Sequence, residues 1–154
     1  MKNGYRHLDL AKAYGNQTAV GRALRSVIPS VVEREAVFVT SKLPNSEHEP
    51  ERVGKAFDKT LQELGLEYLD LYRETLPALI ERRCADARVF SKKVMHWPVA
   101  FVPAGRGSLP KKEGCVDLDL ETSVVDTWRA MIALPKARVC HHVSGLSMSL
   151  RSGD

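Results

Sequence analysis

The most constraining stretch of this sequence lies between residues 36 and 72, where a strand, a helix and a second strand follow one another with short connections. Ala36-Val37-Phe38-Val39-Thr40-Ser41-Lys42-Leu43 is β-branched and apolar, the composition of a strand buried on both faces. After the loop Pro44–His48, Pro50 suits a first helical turn and Glu49 and Glu51 complement the positive end of the helix dipole. Val53, Ala56, Phe57, Thr60, Leu61 and Leu64 then recur on one face. Gly65 is a natural stop, and Glu67–Tyr72 reads as the next strand. A strand–helix–strand unit of this kind demands a parallel sheet with a right-handed crossover. Upstream the same rhythm holds. Tyr5–Ala11 reads as a short strand, Tyr14-Gly15-Asn16 as a turn, and Thr18–Ser26 as a helix capped by Asn16 or Thr18 and stopped at Pro29-Ser30.

Beyond Tyr72 the pattern breaks. Arg73–Lys93 carries six basic and three acidic residues and looks foreign to its surroundings; Val94–Phe101 then returns to strand-like composition. Val102–Leu118, rich in Gly, Pro and Lys, reads as a long loop. Thr122 or Ser123 can cap a helix using Val124, Val125, Trp128, Met131 and Ile132, ended by Pro135. From Cys140 to Asp154 the apolar periodicity is weak, which predicts a loose tail.

Composition excludes several classes. With 44% hydrophobic and 27% charged residues the chain is neither disordered nor a coat of one sign. No stretch approaches the ~18 apolar residues of a membrane helix and the start has no apolar signal core, so the expectation is a cytoplasmic protein that meets no membrane. Cys84, Cys115 and Cys140 are odd in number and widely spaced, which suggests neither a disulfide framework nor a zinc site. The formal charge is +4, of which Arg73–Lys93 supplies +3, so the basicity does not mark the remainder as a nucleic-acid binder. Arg82, Arg83, Arg88, Lys92 and Lys93 lack an interleaved aromatic platform and read as solvated charge.

Taken together, Gly4-Tyr5-Arg6-His7-Leu8-Asp9-Leu10-Ala11, Tyr14-Gly15-Asn16, Val37–Leu43, Leu66–Tyr72, Met95-His96-Trp97-Pro98 and Val125–Met131 resemble, in content and order, the aldo-keto reductases. The resemblance implies an α/β fold, a partial (β/α)₈ barrel comprising the second to fourth strand–helix units. Residues 1–139 would form this partial barrel, interrupted at 73–93, and 140–154 a divergent, disordered tail. It also implies reduction of small aldehydes and ketones to alcohols with NADPH, or sometimes NADH, and no metal. The family's catalytic positions fall on Asp9, Tyr14, Lys42 and His96, with His96 also touching substrate and Asp9 the cofactor. By the resemblance Asp9, Lys42 and His96 lie at C-terminal strand ends and Tyr14 in the loop after the first of them, where such barrels place their chemistry.

The chemistry fits those residue types. Hydride delivered to a carbonyl carbon leaves charge developing on oxygen, and Tyr14 is the candidate acid that protonates it. An ammonium beside a phenol favours its ionised form, which is the part for Lys42, while Asp9 keeps that ammonium charged and aimed. His96 can orient and polarise the carbonyl. Trp97 and Tyr68 are further aromatics of unassigned position. His7 and His48 read as surface or supporting residues, and Cys140-His141-His142 as part of the loose tail rather than a metal site. Gly105-Arg106-Gly107 does not make a dinucleotide fingerprint.

A complete barrel of this type needs ~250 residues. In the resemblance the match begins at the second barrel strand and stops where the fifth should begin, leaving out the part that grips the adenosine phosphate. Val143-Ser144 is similar to a cofactor-contacting Val-Ser-Asn after the fifth strand, with Gly145 in place of Asn. Arg73–Lys93 would interrupt a strand and reads as an extruded loop or as translated non-coding sequence. The competing expectation is therefore a non-catalytic fragment.

Overall fold

The computed structural model describes residues 1, 3–74, 102–103, 111–112, 115–117, 119, 121–135 and 139–144, with the segments 111–112, 115–116 and 139–144 described by their backbone. Strands β1 (His7–Asp9), β2 (Phe38–Leu43) and β3 (Leu69–Glu74) alternate with helices α1 (Gln17–Val27) and α2 (Pro50–Leu64). A two-residue hairpin, β4 (Lys111–Lys112) and β5 (Cys115–Val116), precedes α3 (Val124–Ile132) and β6 (Val139–Ser144).

The main sheet runs β1-β2-β3-β6 and every neighbouring pair is parallel. Because its order follows the chain without reversal, right-handed crossovers put the connecting helices on one face, the winding of a barrel rather than of a doubly wound sheet. The core agrees. Val39, Leu43 and Tyr72, from one face of β2 and β3, cluster with Val53, Phe57, Leu61 and Leu64 of α2 and Met131 of α3. The rings of Phe57 and Tyr72 meet edge to face at 5.0 Å, and each fully buried side chain of this size contributes about 1.5–3 kcal/mol. The opposite face, which would line a closed barrel, is partly open. Thr40 is buried there, but Phe38 is 38% exposed, so β2 is not covered on both sides as its composition predicts.

Local signals account for the helix ends. Pro50 opens α2 and Gly65, at φ +66°, closes it with its N–H on the Gln62 and Leu61 carbonyls. Asn16 stands at the N-cap of α1 and Ser123 at that of α3, neither making a side-chain capping bond. Gly21 is required by packing: a Cβ there would lie 2.7 Å from the Leu64 carbonyl oxygen and closer still to that of Glu63.

Three expectations need correction. The third strand lies two residues later than predicted, since its ladder with β2 continues through Lys42 opposite Arg73 and Leu43 opposite Glu74. Arg73 and Glu74 therefore belong to β3 and not to a foreign segment. Thr75–Lys93 and the predicted strand Val94–Phe101 fall outside the described residues. Second, the long loop contains the β4–β5 hairpin, and Val102 within it is buried, donating its N–H to Asn45. Third, the predicted loose tail begins as β6: Leu71, Tyr72 and Arg73 stand in register with His142, Val143 and Ser144. A weakly periodic segment becomes a strand because a parallel edge supplies its backbone partners. Residues 145–154 lie outside the described residues.

Candidate functional site

Asp9 ends β1 and Lys42 lies one residue from the end of β2. Thr40 is opposite Asp9, so Lys42, two residues further on the same face, reaches diagonally over the strand end. Its Nζ donates to Asp9 Oδ1 (2.5 Å), the Leu10 carbonyl (3.1 Å) and the Tyr14 hydroxyl (3.2 Å). An ammonium has three protons, and all three are committed. The Lys42 side chain is 13% exposed, whereas the Asp9 side chain is 53% exposed and Tyr14 56%.

Tyr14 closes a single 3₁₀ turn, Lys12–Tyr14, ended by Gly15 at φ +67° with its N–H on the Lys12 carbonyl. Because the Tyr14 oxygen accepts from Lys42, its own proton is free for another acceptor, and the residue is 56% exposed. The ammonium also sits 5.1 Å from the phenol ring centroid.

A second set of polar residues lies behind this trio. Ser41 Oγ donates to Gln17 Oε1 (2.8 Å), Gln17 Nε2 donates to Glu63 Oε2 (2.9 Å), and Lys12 Nζ donates to Glu63 Oε1. Burial alone would raise Glu63, but the bonds from Lys12 and Gln17 and the positive charge outweigh it, holding the carboxyl below the usual carboxylate range.

Of the four expected catalytic residues, Asp9, Tyr14 and Lys42 come together; His96 lies outside the described residues, as do Trp97 and the basic run Arg82–Lys93. Tyr68 is at the other end of the sheet, its ring under the Arg34 guanidinium at 3.9 Å. That end holds an open groove of about 390 Å³ lined by Arg6, His7, Glu35, Phe38 and Asp70 and by none of the trio. His7 donates to or accepts from Thr40 on the open face of the sheet (3.1 Å). His48 is not a surface residue. It is buried on the helix side, with Nδ1 3.4 Å from the buried Glu74 carboxylate and its carbonyl accepting from Thr127. Among the described residues no group of three or more His, Cys, Asp or Glu is placed to hold a metal.

Sequence reasoning missed Ser41, Gln17, Glu63 and Lys12, as well as the pair Arg34–Asp70. Asp70 carried a signal, being an acid between two leucines in a strand, which calls for a buried partner. Gln17 and Glu63 carried none, since polar residues at helix ends are ordinary.

Comparison with known proteins decides the family. Residues 1–75 match the Aldo/keto reductase family. The chain belongs to that family. The family match thus ends one residue past β3. The D/L-glyceraldehyde reductase of Hypocrea jecorina is 46% identical over 143 residues, which is 90% of this chain and 37% of that protein. The aldo-keto reductase family 1 member A1 of Xenopus tropicalis is 42% identical over 86% of this chain and 35% of its own length. The chain therefore spans about a third of the length of these relatives. The aldose reductase structure from Schistosoma japonicum superposes with a TM-score of 0.70 at 33% identity, covering 90% of this chain and 39% of that one. This likeness assigns the parallel sheet and its helices to part of a (β/α)₈ barrel. No helix of the described residues is long and apolar enough to cross a membrane.

Proposed function

We propose that this aldo-keto reductase chain reduces small aldehydes to alcohols with NADPH, with Tyr14 as proton donor. The observation that carries the reading is the saturated Lys42 ammonium, whose third proton goes to the hydroxyl of a half-exposed tyrosine. Lys42 stabilises the phenolate left when Tyr14 gives its proton to the carbonyl oxygen, and Asp9 offsets the cost of keeping that ammonium charged where it is largely buried. A donor of this kind contributes typically ~10²–10⁴-fold. The exposed Asp9 carboxylate beside the phenol fits a hydroxyl-bearing nicotinamide riboside, and when bound the reduced nicotinamide supplies the hydride. Nothing among the described residues corresponds to a grip on the adenosine phosphate. His96, by family resemblance, orients the carbonyl. The glyceraldehyde reductase relative makes glyceraldehyde the first substrate to try.

The test is to purify the chain as written, titrate NADPH by fluorescence and assay glyceraldehyde reduction. We expect saturable binding and a turnover that Tyr14→Phe lowers by roughly 10²–10⁴-fold without changing the thermal midpoint. A folded sample that binds no cofactor would assign the second reading, a non-catalytic fragment, to which the one-third span of its relatives and the open inner face of the sheet point.

A further inference from the structure

We propose that Lys12, Glu63, Gln17 and Ser41 are positioning residues that hold the Tyr14 hydroxyl against Lys42; the proposal rests on Tyr14 being the proton donor. Packing does not fix the phenol, which is 56% exposed and belongs to a one-turn segment between β1 and α1. The polar relay closes a ring through it. Starting at Lys42, the chain neighbour Ser41 donates to Gln17, Gln17 to Glu63, and Glu63 receives Lys12, two residues before Tyr14; Tyr14 then accepts from Lys42. Every polar atom of the Gln17 carboxamide end has its partner, and Gln17 and Ser41 are 3% and 0% exposed.

The relay joins four segments, the turn after β1, α1, β2 and the last turn of α2, and its span is set by Gly21. Lacking a side chain, Gly21 lets α1 lie against the Glu63 and Leu64 carbonyls, bringing Gln17, one turn earlier, within reach of the Glu63 side chain. A simple tie between α1 and α2 would need only the Gln17–Glu63 bond. The two outer arms go instead to the turn that carries the acid and to the residue beside the lysine.

None of the four touches a reacting atom, so each acts through the placement of Tyr14. A misplacement of about 1 Å at a reacting group costs about 10²-fold, so Lys12→Ala and Glu63→Gln should lower kcat by roughly 10- to 100-fold with KM little changed. The deciding measurement needs no turnover. Labelling with 3-fluorotyrosine gives four fluorine signals, and Tyr14→Phe assigns one of them. In the parent chain Lys42→Met should move the Tyr14 line, because the ammonium is 3.2 Å from the hydroxyl. In the Lys12→Ala and Glu63→Gln backgrounds that response should be largely lost, and Lys12→Arg, which keeps a cation for Glu63, should retain it. Lys12 lies on a surface turn, so its variants keep the test open should Glu63→Gln fail to fold. The proposal is overturned if Lys42→Met moves the line equally in all backgrounds, even where thermal stability falls, or leaves the parent line unmoved. The catalytic reading fails separately, if Tyr14→Phe still reduces aldehyde at the parent rate while the fluorine response behaves as expected.

Discussion

The two ends of the parallel sheet each carry a basic side chain paired with an aspartate, and the pairs are built to opposite purposes. At the N-terminal end Arg34 donates to Asp70 Oδ2 (2.8 Å), the Val37 carbonyl (2.6 Å) and the Tyr68 carbonyl (3.0 Å), and Asp70 also accepts the Val39 N–H (2.8 Å). Both side chains are nearly closed to water, 12% and 11% exposed. At the C-terminal end Lys42 is as well buried, but its partner Asp9 is half open and its third bond ends on an exposed phenol. One pair spends its bonds inside the fold, while the other holds a charge in place and presents unspent groups outward. Barrel folds divide the labour of their two ends in this way.

The largest expected effect belongs to the closed end. Asp70→Ala would leave the Arg34 charge buried without its carboxylate and the Val39 N–H without its acceptor, lowering stability by about 3–5 kcal/mol in urea denaturation. A loss under about 1 kcal/mol would mean that the two pairs do not differ as described. Gly21→Ala comes next. Its methyl meets the Glu63 and Leu64 carbonyls, and relief by moving α1 away from α2 should cost about 1–3 kcal/mol, seen as a lowered thermal midpoint together with a weakened Tyr14–Lys42 contact.

Asp9→Asn sharpens the contrast from the open side. With the carboxylate half exposed, unfolding free energy should change by less than about 1 kcal/mol, while aldehyde reduction falls; equal damage to both would erase the distinction between the ends. The smallest effect is acid sensitivity. Glu63 titrates below its ordinary value of 4.5 in the folded chain, so its contribution is present above that value and is lost as pH falls through the lowered folded value. Urea midpoints measured from neutral pH down should therefore fall less below about pH 4.5 in Glu63→Gln than in the parent, the variant being the weaker of the two at neutral pH.

Much of this molecule was legible from one dimension. The stripe Val53–Leu64 with Pro50 and Gly65 gave α2 almost residue for residue, because a helix writes its period and its ends locally. Asp9, Tyr14 and Lys42 stood out by their place among family-like blocks. The strand limits were less legible. Ladder bonds, not composition, carry β3 on to Glu74 and recruit Val139–Ser144, whose partners lie far away in sequence. His48 and Glu74 were misread for the same reason, since a polar residue shows its burial only when its neighbours from other elements are in place.

Sequence alone settled the alternation of strands and helices, the helix ends and the chemical types at the strand tips, all of which depend on residues within a turn or two of each other. Tertiary structure alone settled which charges meet, apart from the Lys42–Asp9 pair that the family resemblance implies. Arg34 finds Asp70 36 residues away, Lys42 finds Asp9 at 33, and Lys12 finds Glu63 at 51. A periodic pattern states which face a side chain takes, but ion pairing falls off over a few ångströms. Only the packing of α1 against α2 at Gly21, and the register of β2 with β1 and with β3, bring those atoms within that range.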